Sequence, residues 1–235
     1  MMDEFLEQLK KYAVDNNIPI LQCDARTFIE QILLLKQPKT ILEIGSAIGY
    51  SGIVMLNAAK KAHLTTIEKN AERVSLAIEN FKKANLSERV NLIQGDAKDV
   101  LEELTNLKNG DAARVHGVSI GVSNESFSCA DSGTLRAASP ANYVISGSQK
   151  FDFIFLDGPK GQYANYFPFI KKLLADGGVL VADNVMLGTS GIKKLTNTQL
   201  IKKRQDFVDM IMNDDELITS IVPICDILSL SIKQT

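Results

Sequence analysis

Four polar residues stand directly behind two short apolar runs. Phe151 to Leu156 is followed by Asp157-Gly158-Pro159-Lys160, and Gly178 to Ala182 by Asp183-Asn184. Runs so brief and nearly uncharged, closed by turn residues, read as strands buried on both faces. In an open parallel α/β sheet the ligand crevice lies beyond the carboxyl ends of the strands. Two neighbouring strands would therefore bring Asp157, Lys160, Asp183 and Asn184 to one place. Two carboxylates and a carboxamide oxygen are hard donors that suit Mg²⁺, or Mn²⁺, with positions left for water or a substrate oxygen. The competing reading is plain capping by Asp157 and Asp183, with Lys160 a solvated loop lysine. Convergence of all four residues favours a metal-assisted enzyme.

The elements that must position these residues can be read along the chain. Apolar periodicity predicts helices over Asp3–Asn16 and Arg26–Leu35, together forming an N-terminal part of residues 1–38. From Thr40 strands and helices alternate. Strands are expected at Thr40–Ile44, Leu64–Glu68, Val90–Gln94, Phe151–Leu156 and Val179–Ala182. Helices are expected at Tyr50–Lys60, Ala71–Ala84, Ala97–Leu107, Tyr163–Leu174 and Thr198–Met212. Two last strands, Ile218–Pro223 and Ile227–Ile232, have little between them and should pair as an antiparallel edge hairpin. The pattern defines a doubly wound, mainly parallel seven-stranded α/β sheet in one domain spanning 1–235.

One stretch breaks the texture. Between Lys108 and Lys150 there is no lysine, and Gly, Ser, Ala and Val dominate. An insertion at about 108–149 is expected, joining a helix to a strand start and so lying opposite the crevice. A lid or partner-binding hairpin is the functional alternative, because loops this long are uncommon in compact domains.

Bulk properties narrow the function classes. With 235 residues, 45% hydrophobic and 23% charged, the chain is of ordinary globular type. No apolar run reaches the roughly 18–20 residues of a membrane span. The acidic, amphipathic start is unlike a secretory signal, so a cytoplasmic protein is expected. Three dispersed cysteines and two histidines speak against disulfide frameworks and histidine-rich metal sites. A formal charge of −2 gives no global pull toward nucleic acid. Lys193, Lys194, Lys202, Lys203 and Arg204 nevertheless form a basic stretch that can meet RNA phosphates, or simply face solvent. Tyr163, Tyr166 and Phe167 are candidates either for stacking a base or for helix core packing.

The other end of the crevice begins at Leu42-Glu43-Ile44-Gly45-Ser46-Ala47-Ile48-Gly49-Tyr50-Ser51, a strand, a glycine turn and a helix start. The spacing G-x-x-x-G is not the G-x-G-x-x-G that seats a dinucleotide pyrophosphate. Glu43 before the turn would repel a pyrophosphate and welcome a cationic group. Glu68, closing the second strand, can accept hydrogen bonds from both ribose hydroxyls. Gly95-Asp96-Ala97 closes the third and can flank an adenine. In this order, at successive strand ends, the residues point to S-adenosyl-L-methionine.

With these motifs in place, the chain resembles the class I methyltransferases, and within them the cation-dependent O-methyltransferases of the catechol and caffeoyl-CoA type. The resemblance rests on Ile18-Pro19-Ile20-Leu21, Leu42-Glu43-Ile44-Gly45, Gly49-Tyr50-Ser51, Gly95-Asp96-Ala97, Asp157 with Lys160-Gly161-Gln162-Tyr163, Asp183-Asn184-Val185 and Ser229 to Lys233. Within the group it is most similar to bacterial tRNA 5-hydroxyuridine methyltransferases. The resemblance implies a Rossmann-like methyltransferase fold and a homodimer. It implies metal ligation by Asp157, Asp183 and Asn184, and cofactor contacts at Leu21, Glu43, Gly45, Ser51, Glu68, Ala97 and Asp157. It gives Lys160 a base-like role beside Asp157. The implied reaction is methylation of 5-hydroxyuridine at the tRNA wobble position to 5-methoxyuridine, or of a small catechol-like phenol. Two readings of other classes stand beside it, an NAD-type oxidoreductase and a catalytically silent RNA-binding module. The chain departs from its relatives in the 108–149 segment, and in reading Cys225-Asp226-Ile227 where they often read Gly-Asp-Gly.

Overall fold

In a computed structural model, residues 2–106, 112–113, 145–146, 150–186 and 198–235 are described. Strands β1 (Thr40–Ile44), β2 (His63–Glu68), β3 (Val90–Gln94), β4 (Phe151–Leu156), β5 (Leu174–Ala182), β6 (Leu217–Val222) and β7 (Leu228–Lys233) form one sheet. Its order is β3-β2-β1-β4-β5-β7-β6. The first five strands are parallel, while β7 runs antiparallel to both β5 and β6. The expected doubly wound seven-stranded sheet with an antiparallel C-terminal hairpin is therefore the observed one. Strand order reverses between β1 and β4, which places the crevice at their carboxyl ends.

The helices are α1 (Met2–Asp15), α2 (Cys23–Lys36), α3 (Tyr50–Ala58), α4 (Ala71–Lys83), α5 (Ala97–Asn106), α6 (Tyr163–Leu173) and α7 (Thr198–Met212). Helices α1 to α4 cover one face of the sheet, with Leu6, Ile29, Ile53 and Phe81 packed against Phe153 and Phe155. Helices α5 to α7 cover the other, where Leu101, Ile170 and Phe207 meet Leu42, Ile154 and Leu156. Adjacent β4 side chains feed opposite cores, as the strand period of two requires. Burial on both faces explains why Phe153 to Leu156 of β4 is an unbroken apolar run. Among the described residues no helix is long and apolar enough to cross a membrane.

Three local differences from the expected elements have physical causes. Helix α3 stops at Ala58 rather than Lys60, because the Arg89 guanidinium donates to the carbonyls of Leu56, Ala59 and Ala62 and caps that end. Strand β5 starts at Leu174, immediately after α6, not at Val179. Ala175 to Gly178 are absorbed as an irregularity in the β4 pairing. Gly178 is needed there, since a Cβ would lie 2.6 Å from the Ala175 carbonyl oxygen. Finally, Ala112–Ala113 pairs antiparallel with Ile145–Ser146, a ladder too short to read from alternation. The rest of the segment at 108–149 lies outside the described residues, as do Lys193 and Lys194.

Candidate active site

The chain leaves β1 through Gly45, whose φ of +101° belongs to the left-handed side of backbone space. The Gly45 N–H donates to the Ile67 carbonyl of β2, and the Asp157 N–H donates to the Ile44 carbonyl of β1. The ends of β1, β2 and β4 are thus tied together. Above them lies a cavity of about 350 Å³, with Gly45, Glu68, Asp96, Asp157, Lys160 and Tyr166 in its wall. Ala47 and Ala97 also face it.

Glu68 closes β2 with its carboxylate held in place. Its Oε2 accepts from the Ala47 N–H at 2.9 Å and its Oε1 from the Asn70 N–H at 2.8 Å. Each oxygen keeps a second lone pair for a ligand hydroxyl. Asp96 closes β3, accepting from the Lys98 N–H at 3.0 Å and from the Lys69 ammonium at 2.9 Å. The Lys69 hydrogen bond holds the Asp96 carboxyl below its usual range. The Tyr166 phenol is pushed up to about 12, first by burial and then by the negative Asp96 and Asp99.

Glu43, Ser51 and Leu21, expected as cofactor contacts, are buried and are not among the residues lining this cavity. Glu43 is fully buried. Its carboxylate accepts from the Ser51 hydroxyl and from the Thr66 hydroxyl, the latter at 2.6 Å. Thr66 faces Glu43 because β1 and β2 pair in that register. Burial raises the Glu43 carboxyl to about 7, against the two hydroxyls that favour its charge and with Asp157 and Glu68 raising it further. Thr66 was not singled out in the sequence. Only the register of β1 against β2 brings it opposite Glu43, and the sequence of β2, His63-Leu64-Thr65-Thr66-Ile67-Glu68, does not single it out.

At the far end, Asp157, Lys160 and Asp183 converge as expected. The Lys160 ammonium contacts Asp157 Oδ1 directly and lies 3.8 Å from Asp183 Oδ2. Burial raises the Asp157 carboxyl to about 6, with Lys160 opposing the shift and Asp183 adding to it. Asp183 follows β5, where its N–H donates to the Leu156 carbonyl. Its own carbonyl accepts from the Tyr163 hydroxyl at 3.1 Å. Asn184 sits in the left-handed region, φ 60°. Its carboxamide nitrogen donates to Asp183 Oδ2 at 3.2 Å and to Asp226 Oδ2 at 3.3 Å. Asp226 comes from the β6–β7 connection and was not among the expected site residues. Its signal was the Cys225-Asp226-Ile227 departure.

Among the described residues no three His, Cys, Asp or Glu side chains are arranged to hold a metal ion. The donor set here is instead two carboxylates and one amide. It fits a divalent cation on two counts: a cation, the Lys160 ammonium, already stands against both acids, and the recorded hydrogen bonds of Asn184 leave from its nitrogen, with Oδ1 the end a metal can use.

Tyr163 and Phe167, candidates for stacking a base, instead make edge contacts with Phe207 inside the core. Lys202 and Lys203 are exposed on α7. The Lys203 Cδ lies 3.7 Å from where a Cβ on Gly161 would stand, so this basic face adjoins the Lys160 turn.

A doubly wound sheet with a strand-end crevice, an acid-held glycine turn and two converging aspartates defines the class. The profile of the O-methyltransferase family matches residues 2–114 and 137–234, and the chain belongs to that family. Residues 115–136 fall outside the match. The membership replaces the NAD-type oxidoreductase reading. A catechol O-methyltransferase of Niastella koreensis is 29% identical over 160 residues, covering 68% of this chain and 55% of that protein. A caffeoyl-CoA O-methyltransferase of Populus kitakamiensis is 24% identical, covering 75% of this chain and 59% of its own length. The matches thus span less than two thirds of these relatives. The crystal structure of an O-methyltransferase from Bacillus cereus in complex with SAH has the same fold, with a TM-score of 0.73 at 21% identity over 98% of this chain and 91% of that one.

Proposed function

We propose that the protein transfers a methyl group from S-adenosylmethionine to the oxygen of an acidic hydroxyl, with Mg²⁺ or Mn²⁺ at Asp157, Asp183 and Asn184. One observation carries this reading: a single crevice has Glu68 and Asp96 at one end and the Asp157–Lys160 pair at the other. The first two suit ribose and adenine. Asp157, and Glu43 with Ser51 behind the Gly45 turn, suit the methionine end. SAH in the Bacillus cereus relative supports the choice of cofactor.

In this mechanism the Lys160 ammonium releases a proton to solvent, and the resulting amine takes the proton of the substrate hydroxyl. An oxygen lone pair then forms the new C–O bond as the C–S bond breaks, its electrons staying on sulfur to give a neutral thioether. A divalent ion on the three donors would lower the hydroxyl pKa and orient its oxygen. The closed β1, β2 and β4 ends hold the crevice rigid, and positioning of both reactants supplies further acceleration.

As substrate we propose 5-hydroxyuridine at the tRNA wobble position, in the cytoplasm. Support comes from the exposed Lys202 and Lys203 beside the Lys160 turn, placed to meet backbone phosphates. Base selection would not come from Tyr163 or Phe167, which are core residues. The second reading, a small catechol-like phenol, is favoured by the names of the relatives. Mass spectrometry of tRNA nucleosides from a deletion strain decides. Loss of 5-methoxyuridine with accumulation of 5-hydroxyuridine is the expected result; unchanged nucleosides, with catechol methylated by the purified protein, would establish the second. A homodimer belongs to the proposal. The exposed Leu34 and Leu35 on α2, Leu35 at 84% exposure, and Val14 on α1 support it, and light scattering at micromolar concentration tests it.

A further inference from the structure

Asp226 belongs to neither the cofactor end nor the three residues assigned to the metal, yet it is bonded to one of them. We propose that Asp226 is a positioning residue that orients the Asn184 carboxamide, so that Oδ1 and not the NH₂ group is presented to the cation. The inference rests on the metal reading above.

Asn184 is the one neutral donor of the set, and the two ends of its carboxamide are nearly the same size. Only the oxygen can ligate a cation; the NH₂ end turned toward it would place partial positive charge against positive charge. Something must select the end. The nitrogen has two N–H bonds, and two carboxylate oxygens face it, Asp183 Oδ2 at 3.2 Å and Asp226 Oδ2 at 3.3 Å. A flipped amide would turn its oxygen toward both acids and lose both bonds. Asp183 alone is a weak guide, because its charge is shared with the Lys160 ammonium and, in this reading, with the metal. Asp226 has no such competitor. Among the described residues the hydrogen bond from Asn184 is the one recorded for its side chain, and no cation pairs with it.

The surrounding backbone is built for this placement. Cys225 at φ 51° and Ile227 at φ 62° both lie in the left-handed region, on either side of Asp226. For a β-branched isoleucine that conformation is a genuine outlier, and such strain persists only where neighbours over-determine it. Here the Ile227 N–H donates to the Ile224 carbonyl, and the Ile227 carbonyl accepts from the N–H of Val185, the residue after Asn184. The turn carrying Asp226 is thereby locked to the segment carrying Asn184.

The test measures Mn²⁺ binding to the full chain, without substrate, for the natural protein, Asp226→Ala and Asp226→Asn. Outer partners of metal ligands typically contribute about 10–100-fold in metal affinity. Asp226→Ala should lose that much, while Asp226→Asn keeps an acceptor oxygen and should stay within about threefold of the natural protein. SAH affinity should be unchanged in both. If Asp226→Ala does not fold, Asp226→Leu, of similar size and without an acceptor, takes its place. Adding Asn184→Asp to the weakened variant supplies a donor with no wrong end and should restore Mn²⁺ affinity. An Asp226→Ala protein that binds Mn²⁺ as tightly as the natural one overturns the inference alone. So does equal loss in Asp226→Ala and Asp226→Asn, which would show charge rather than orientation at work. A natural protein that binds no Mn²⁺ overturns the metal reading, and this inference with it.

Discussion

A Cβ added to Gly45 would lie 2.3 Å from the carbonyl oxygen of Asp157. The glycine of this turn therefore serves the sheet, whatever it also does for the proposed cofactor. It lets β1 and β4 end close enough for the Asp157 N–H to reach the Ile44 carbonyl, and that contact aims Asp157 into the crevice. Gly45→Ala meets both a backbone clash and the left-handed φ. Overpacking and left-handed strain together amount to about 2–5 kcal/mol. Urea denaturation should show a loss of that size, with loss of S-adenosylmethionine binding. A variant of unchanged stability would mean the strand ends are not in contact.

Glu68 joins the turn after β1 to the start of α4 through Ala47 and Asn70. Glu68→Ala should weaken S-adenosylmethionine binding by about 1–3 kcal/mol, the range for a lost partner of a polar group. Glu68→Gln keeps one acceptor oxygen and should fall between. Calorimetric affinity unchanged in both would remove Glu68 from the ribose.

Much of this arrangement was legible in the chain. Phe151 to Leu156 and Gly178 to Ala182 announced buried strands, and the topological rule then brought Asp157, Lys160 and Asp183 together without any knowledge of contacts. What escaped depended on pairing across distance in sequence. Thr66 meets Glu43 only through the β1–β2 register, and Asp226 meets Asn184 across 42 residues. The turn at Cys225 and Ile227 was hidden for another reason. The positive φ that glycine would have signalled is adopted by two residues that disfavour it.

The buried Glu43 makes stability fall with rising pH. Its carboxyl is raised from 4.5 to about 7 in the folded chain, so the folded state holds this proton where the unfolded state has released it. The contribution is full below pH 4.5 and is lost as pH rises through about 7. At 1.36 kcal/mol per pKa unit it is on the order of 3 kcal/mol. Asp157, raised to about 6, acts in the same direction. Glu43→Gln keeps a partner for Ser51 and Thr66 but does not titrate. Its denaturation midpoint should vary less between pH 5 and 8 than that of the natural protein. Parallel profiles would show that Glu43 stays ionised throughout.

Chelation should abolish methyl transfer, and Mg²⁺ or Mn²⁺ should restore it. Asp183→Ala should lose turnover by at least about a hundredfold, equivalent to roughly 2.7 kcal/mol in the barrier. It should still bind S-adenosylmethionine, because the residues proposed for the ribose and adenine, Glu68 at the end of β2 and Asp96 just after β3, lie away from β5. Full activity in excess chelator would eliminate the metal from the mechanism.

The strained turn offers the last prediction. Cys225 occupies the left-handed region at φ 51° with a half-buried free thiol. Left-handed strain costs a non-glycine residue about 1–2 kcal/mol. Glycine there relieves it but adds freedom to the unfolded chain, worth about 0.4–1 kcal/mol, and gives up the thiol contacts. Cys225→Gly should therefore gain at most about 1 kcal/mol, raising the melting temperature by a few degrees at most. Ile227→Gly relieves the same strain but removes an isoleucine packed against the α5–α7 core, worth up to about 1.5–3 kcal/mol if fully buried, so it should not stabilise. The ordering of the two variants is the discriminating result. If Ile227→Gly is the more stable, the turn is held by something other than the packing of Ile227, and the route by which it fixes Asp226 would have to be sought in its backbone hydrogen bonds alone.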